Sequence, residues 1–320
     1  MAAERSEEER SGAKWRGRGR GRRNITKTCN LKKQTHKRAM KPKIALLSGN
    51  GALPRVIADA LSAQGRDFEI ICFDEENTKY FGNCELKVHA MPLENIAGIL
   101  KKLREIKAKE VVFCGGVRFR GIRQMKFFTL DNLKLLLAVV KNVAKIGLSR
   151  QKGDDLLLSA AQGLLHDIGI KIVGAHEIVP DILCSRKDEI NPHLAKSYKN
   201  DINLGRDILN TISKFDIGQS IIIQNGRVIG MEGAEGTDEL IRRCGEYKLK
   251  GKTKPVLVKM CKVGQSMKTD LPTIGINTFK RAVECGLAGV AISCGSAIVL
   301  DREEIREICE RENLFLTTID

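Results

Sequence analysis

From Lys43 onward the chain alternates short apolar runs with amphipathic helical stretches, and this alternation restricts the folds open to it. Ile44–Leu47, Phe68–Phe73 and Glu110–Cys114 have the length and the β-branched or aromatic content of buried strands, while Arg55–Gln64 and Leu93–Ile106 carry apolar residues at helical spacing. Strands separated by crossover helices build a parallel sheet. Predicted helices over Leu130–Ala144 and Asp154–Leu165 and a strand over Ile170–Val173 complete a Rossmann-like first half.

Around Pro180–Lys199 the periodicity lapses into Pro, Asn, Ser and charged residues. Beyond a helix over Ile202–Ser213, Ser220–Gln224 meets Arg227–Met231 across Asn225-Gly226, a pair that supplies the two positive φ angles of a type I′ hairpin. Thr237–Cys244, Asn277–Cys285 and Arg302–Arg311 read as helices, and Pro255–Met260, Gly289–Ile292 and Ala297–Leu300 as strands. The expected fold class is α/β in two domains, an N-terminal Rossmann-like parallel sheet and a C-terminal mixed α/β domain opened by a β-hairpin. The expected boundaries are a disordered basic tail over 1–40, the first domain over 41–182, a linker over 183–199 and a catalytic domain over 200–320.

The net charge of +16 suggests a nucleic-acid partner until its distribution is read. Residues 1–43 hold 15 Lys and Arg against four Glu, so about +11 lies before the first strand and +5 on the rest. The Arg-Gly run Arg16–Arg23 has the composition of a solvated tail. Met40, directly before that strand, makes a start codon placed too early the simplest account of it, and no nucleic-acid partner is expected. No apolar run approaches the roughly 20 residues that span a bilayer, and the protein is expected to be soluble. The ten cysteines include no Cys-x-x-Cys pair and read as small buried hydrophobes in a reducing cytosol.

Several turns hold residues that make poor core material. Gly49, Asn50 and Gly51, ahead of Leu53 and Pro54, lead from the first strand into a helix whose amino end favours an anion. A turn needing positive φ would use the same glycines. Pro54 stands where a dinucleotide fingerprint has its third glycine, which counts against a nicotinamide enzyme. Lys152-Gly153-Asp154-Asp155 precedes a helix, where the acids are either caps or ligand contacts. His176 ends a strand, as a structural hydrogen bonder or a substrate contact. Asp216-Ile217-Gly218-Gln219 enters the hairpin, and Glu232, Glu235 and Asp238 leave it, more acids than one helix cap requires. Lys259 and Lys262 follow as point charges for a phosphate, and Asp270 precedes Leu271-Pro272. Carboxylates in Gly/Thr/Pro turns point to Mg²⁺-assisted phosphate chemistry.

Those segments, in their order, resemble the UDP-2,3-diacylglucosamine pyrophosphatases of the LpxI type, a family of lipid A biosynthesis in Gram-negative bacteria. The matching stretches are Gly49–Pro54, Lys152–Asp155, Gly174–Glu177, Asp216–Gln219, Glu235–Asp238 and Asp270–Gly275, within a likeness running from about Lys43 to the C-terminus. Ser48 and Asn50 depart from glycines common in the family. The resemblance implies hydrolysis of UDP-2,3-diacylglucosamine to 2,3-diacylglucosamine 1-phosphate (lipid X) and UMP with Mg²⁺ or another divalent cation, and an essential aspartate at Asp270. With the residue chemistry, it makes Gly49, Gly51, Leu53, Pro54, Lys152, Asp154, Asp155, His176, Gln219, Glu235, Gly236, Thr237 and Thr273 the expected substrate contacts, and Asp270, Asp238 and Glu235 the expected metal ligands. A cytoplasmic enzyme touching the inner-membrane surface peripherally is implied, and a homodimer is compatible with it. The rival reading is a non-catalytic sugar-nucleotide or dinucleotide-binding protein.

Overall fold

The computed structural model describes residues 41–81, 85–117, 154–215, 217–251 and 253–320. The basic tail, the helix expected over Leu130–Ala144, Lys152 and Asp216 lie outside them. The first half is a parallel sheet of β1 (Ile44–Ser48), β2 (Phe68–Cys72), β3 (Val88–Ala90), β4 (Glu110–Cys114) and β5 (Lys171–Ile172), in the order β3-β2-β1-β4-β5. This is the doubly wound order expected of a Rossmann-like sheet.

The two-residue period of β1 explains why both faces are covered. Ile44 and Leu46 pack with Leu53, Ile57 and Leu61 of α1 (Leu53–Ala63), whereas Ala45 and Leu47 join Leu100 and Leu103 of α2 (Ile96–Glu105) and Leu164 of α3 (Asp154–Asp167). Helix α2 begins three residues beyond Leu93 because the Asn95 side chain accepts the Gly98 N–H at 3.0 Å and caps it there.

In the second half, α4 (Lys199–Ile212) leads into β6 (Ser220–Gln224) and β7 (Arg227–Met231). Asn225 and Gly226 take φ of 57° and 75°, as a type I′ turn demands. The buried Asp201 carboxylate of α4 accepts both turn N–H groups, at 2.8 Å from Asn225 and 2.7 Å from Gly226, and pins helix to hairpin. After α5 (Thr237–Tyr247) come β8 (Val256–Lys259), β9 (Thr273–Ile274), α6 (Ile276–Glu284), β10 (Gly289–Ser293), β11 (Ile298–Val299), α7 (Arg302–Glu312) and β12 (Phe315–Ile319).

The second sheet has the order β12-β10-β8-β6-β7 and is mixed, since β6 runs antiparallel to its neighbours. Ile222, Leu257, Val290 and Leu316 face α5, α6 and α7, while Ile223, Val258 and Phe315 face α4. Three strands escape the sequence reading. β3 and β9 are too short to show a period, and β12 follows the last expected helix with its apolar pair Phe315-Leu316 beside two threonines. The run expected as a strand over Ala297–Leu300 narrows to β11, which pairs with β9 outside the main sheet.

Contacts cross between the halves. Ile298 and Leu300 lie in the same core as Ile57 and Val173, with Leu271 against it. Residues 183–190 run along the second sheet: the Cys184 N–H donates to Ala297 O at 2.8 Å and the Ile190 N–H to Leu316 O at 2.9 Å.

Candidate active site

Strands β7, β8, β10 and β12 share one direction, so their carboxyl ends form one edge, the usual location of ligands in α/β sheets. Lys259 ends β8 opposite Ser220, which starts β6, and both are buried. The Lys259 ammonium donates to Thr237 Oγ1 at 2.5 Å and reaches Ser220 Oγ at 3.4 Å, while the Thr237 hydroxyl donates to Glu232 Oε1 at 2.8 Å. Burial pushes the Glu232 carboxyl up, but the Lys259 charge, the Ser220 and Thr237 hydroxyls and the Gln219 N–H more than offset it and hold it below the usual glutamate range. A buried cation and a half-buried anion thus neutralise each other through a shared threonine.

Gln219 joins this cluster to Asp270. Its backbone N–H donates to Glu232 Oε2 at 3.0 Å, and its side-chain amide donates to Asp270 Oδ2 at 3.3 Å. Gln265 donates to the same Asp270 oxygen from the loop after β8. The segment carrying Asp270 also reaches the first half: the Gln162 amide donates to Thr269 Oγ1 at 3.0 Å, and Lys268 Nζ lies 3.6 Å from Glu177 Oε1. Asp270 therefore stands where residues of both halves meet, half-buried and three residues ahead of β9.

The first-half positions have clear local causes. A Cβ on Gly49 would collide with the Gly116 carbonyl, and Gly51 takes φ of 101°. Asn50 and Gly116 exchange backbone hydrogen bonds of 2.7 and 2.9 Å, so the turns after β1 and β4 are zipped together. Leu53 is buried in the core and Pro54 occupies the first turn of α1. Asp154 and Asp155 open α3. His176 sits in a single helical turn after β5, packed over Gly174, and its shielded Nδ1 finds no hydrogen-bond partner among the described residues. Such an orphan polar atom is costly unless a ligand or water meets it.

Of the expected metal ligands, Glu235 is exposed and paired with Arg243 at 2.7 Å, which holds its carboxyl below the usual range. Gly236, at φ 84°, precedes α5, and Asp238 is exposed in the first turn of that helix. Thr273 starts β9, its hydroxyl donating to Leu271 O at 3.1 Å. Among the described residues no group of three or more His, Cys, Asp or Glu is arranged to hold a metal ion. The eight described cysteines are free, and burial pushes the thiols of Cys184 and Cys309 up to about 12, away from nucleophilic chemistry. Ser220 and Gln265 are site residues that sequence reading passed over; a lone Ser in an apolar strand and a Gln in a polar loop carry no periodic signal.

Comparison with known proteins separates the same two halves. The LpxI N-terminal domain matches residues 43–182 and the LpxI C-terminal domain matches residues 190–317. The chain belongs to the LpxI family. A relative from Caulobacter vibrioides described as UDP-2,3-diacylglucosamine pyrophosphatase LpxI is 29% identical over 288 residues, covering 87% of this chain and 98% of its own. A solved short-chain dehydrogenase/reductase superfamily protein from Agrobacterium tumefaciens, crystallised with bound NAD, covers 87% of this chain and 85% of its own at 12% identity; its TM-score of 0.27 carries no argument. Within the LpxI C-terminal domain lie Lys259, Glu232, Gln219 and Asp270, and within the N-terminal domain lie the Gly49–Pro54 turn and His176.

Proposed function

We propose that this LpxI-family chain hydrolyses the pyrophosphate of UDP-2,3-diacylglucosamine to 2,3-diacylglucosamine 1-phosphate and UMP. The observation that carries the reading is the Asp270 carboxylate, held by two side-chain amides where both halves meet. Water adds to one phosphorus, the bond from that phosphorus to the bridging oxygen breaks, and the bridging oxygen leaves with the other phosphate. Asp270 orients or deprotonates that water, or ligates the cation beside it. The orphan Nδ1 of His176 and the N–H groups of Gly51 and Leu53 at the amino end of α1 would meet the substrate's polar parts.

A divalent cation such as Mg²⁺ would neutralise charge on the pyrophosphate oxygens. The donor set fits this ion, because Mg²⁺ takes one or two carboxylates and completes its shell with phosphate oxygens and water. Asp270 would hold it in preference to Glu235, whose carboxylate is committed to Arg243. Measured release of UMP from UDP-2,3-diacylglucosamine tests the reading, and a folded protein that binds the nucleotide sugar without turnover would favour the non-catalytic alternative.

The acylated substrate requires access from a membrane, and no described helix is long and apolar enough to cross one. The loops that carry Gln219 and Gln265 expose Phe215 (63%), Ile217 (36%) and Val263 (73%), with the Lys214 ammonium 5.1 Å above the Phe215 ring. Apolar tips beside lysines suit the surface of an anionic bilayer. The Phe215→Ser, Val263→Ser double variant should co-sediment at least ~10-fold more weakly with phosphatidylcholine vesicles containing roughly one-third phosphatidylglycerol. Equal co-sedimentation of both proteins, or none by either, would remove the membrane from the account.

A further inference from the structure

We infer that Gln265 is a positioning residue whose amide N–H, rather than its bulk, sets the Asp270 carboxylate for turnover. The inference rests on the role given to Asp270 above. Which end of a glutamine amide is nitrogen follows from its hydrogen-bond network. Gln265 Oε1 accepts the Lys262 N–H at 2.9 Å and lies 3.3 Å from Cys261 Sγ, a thiol donor, so the oxygen end is assigned and the nitrogen must face Asp270 Oδ2. The turn itself is closed by the Gln265 N–H donating to Lys262 O at 3.1 Å. Gln219 reaches the same carboxylate oxygen from the segment leading into β6, and its backbone is tied to Glu232. Two neutral donors on one oxygen restrain the carboxylate, and neither adds the charge that an arginine or lysine at either position would bring. A reactive or metal-holding carboxylate depends on that orientation to within a fraction of an ångström.

The substitution Gln265→Glu isolates the amide. It keeps an oxygen for the Lys262 N–H, so the loop retains its anchor, but it turns the donor facing Asp270 into an acceptor. At pH 8 kcat should fall at least ~100-fold with KM within ~3-fold and Tm within a few degrees, because what is lost acts on the reacting group. Unchanged kcat, or a loss carried by KM or by Tm instead of kcat, would overturn the inference.

A second readout needs no turnover. Followed by ¹H–¹⁵N NMR, the Gln265 side-chain amide signal of the wild type should move by at least ~0.3 ppm in ¹H when Asp270→Ala removes its acceptor. If the wild type releases no UMP, the reading of function fails on its own, and the amide signal alone decides whether Gln265 holds Asp270. An unmoved amide signal would refute that contact.

Discussion

Asp270→Ala is expected to lower kcat for UMP release by ~10³-fold or more while leaving the protein folded. The side chain is half-buried in a turn and makes no contribution to the apolar cores, so its removal leaves two amides, those of Gln219 and Gln265, short of an acceptor near solvent. That costs about 1 kcal/mol, or a few degrees in Tm. The size of the kinetic loss follows from the residue's task at the reacting water or its cation in the proposed chemistry. Asp270→Asn provides the control that preserves volume and should be equally impaired. Steady-state rates beside thermal melts would check both variants, and retention of more than a tenth of wild-type kcat by either would remove Asp270 from the chemistry.

Arg302→Ala should destabilise the folded chain by about 3 kcal/mol or more, lowering Tm by ~10 °C, far beyond what the loss of an exposed ion pair would cost. Arg302 donates to Asp188 Oδ1 at 2.5 Å and to Oδ2 at 3.3 Å, and to the carbonyls of Leu183 and Val299 at 3.0 Å each. Asp188 is only 6% exposed, so losing the guanidinium strands a buried carboxylate. Burial pushes the Asp188 carboxyl up, but hydrogen bonds from Arg302 and the Ser185 N–H, together with the Arg302 charge, hold it below the usual aspartate range. A carboxyl depressed in the folded state stabilises the protein above its unfolded pKa, near 3.9, and that contribution is lost as the pH falls through the lower folded value. The stability gap between wild type and Arg302→Ala should therefore be full at neutral pH and close as the pH drops below about 4. Chemical denaturation at pH 7 and at pH 3.5 measures it; a gap under 1 kcal/mol at pH 7, or one that does not shrink in acid, would contradict this account.

The α/β architecture was legible because the strongest signals coincide with its essential parts. The five-residue apolar runs of β1, β2 and β4, buried on both faces, and the Asn225-Gly226 hairpin can be read without a partner strand in view. What escaped depends on long-range pairing. β9 is two residues long and exists only because β11 lies beside it, and β12 has its register set by β10. The site divides in the same way. Asp270, Gln219, Thr237 and His176 stand out as polar residues in the turns between strands and helices, whereas Gln265 gains its meaning from the orientation of its amide in space. Glu232 and Lys259 were visible as charges, but that each neutralises the other through Thr237 becomes clear only in the folded chain. Glu235 shows the converse: the spacing that suggests a metal ligand also places it against Arg243.

Release of UMP from UDP-2,3-diacylglucosamine by the full chain, in Mg²⁺ with and without a chelator, is the measurement to make first. The proposed chemistry predicts one UMP for each 2,3-diacylglucosamine 1-phosphate formed, release abolished by the chelator and restored by excess Mg²⁺. Absence of release from folded protein in Mg²⁺ would contradict it and leave a nucleotide-sugar-binding role for the same residues.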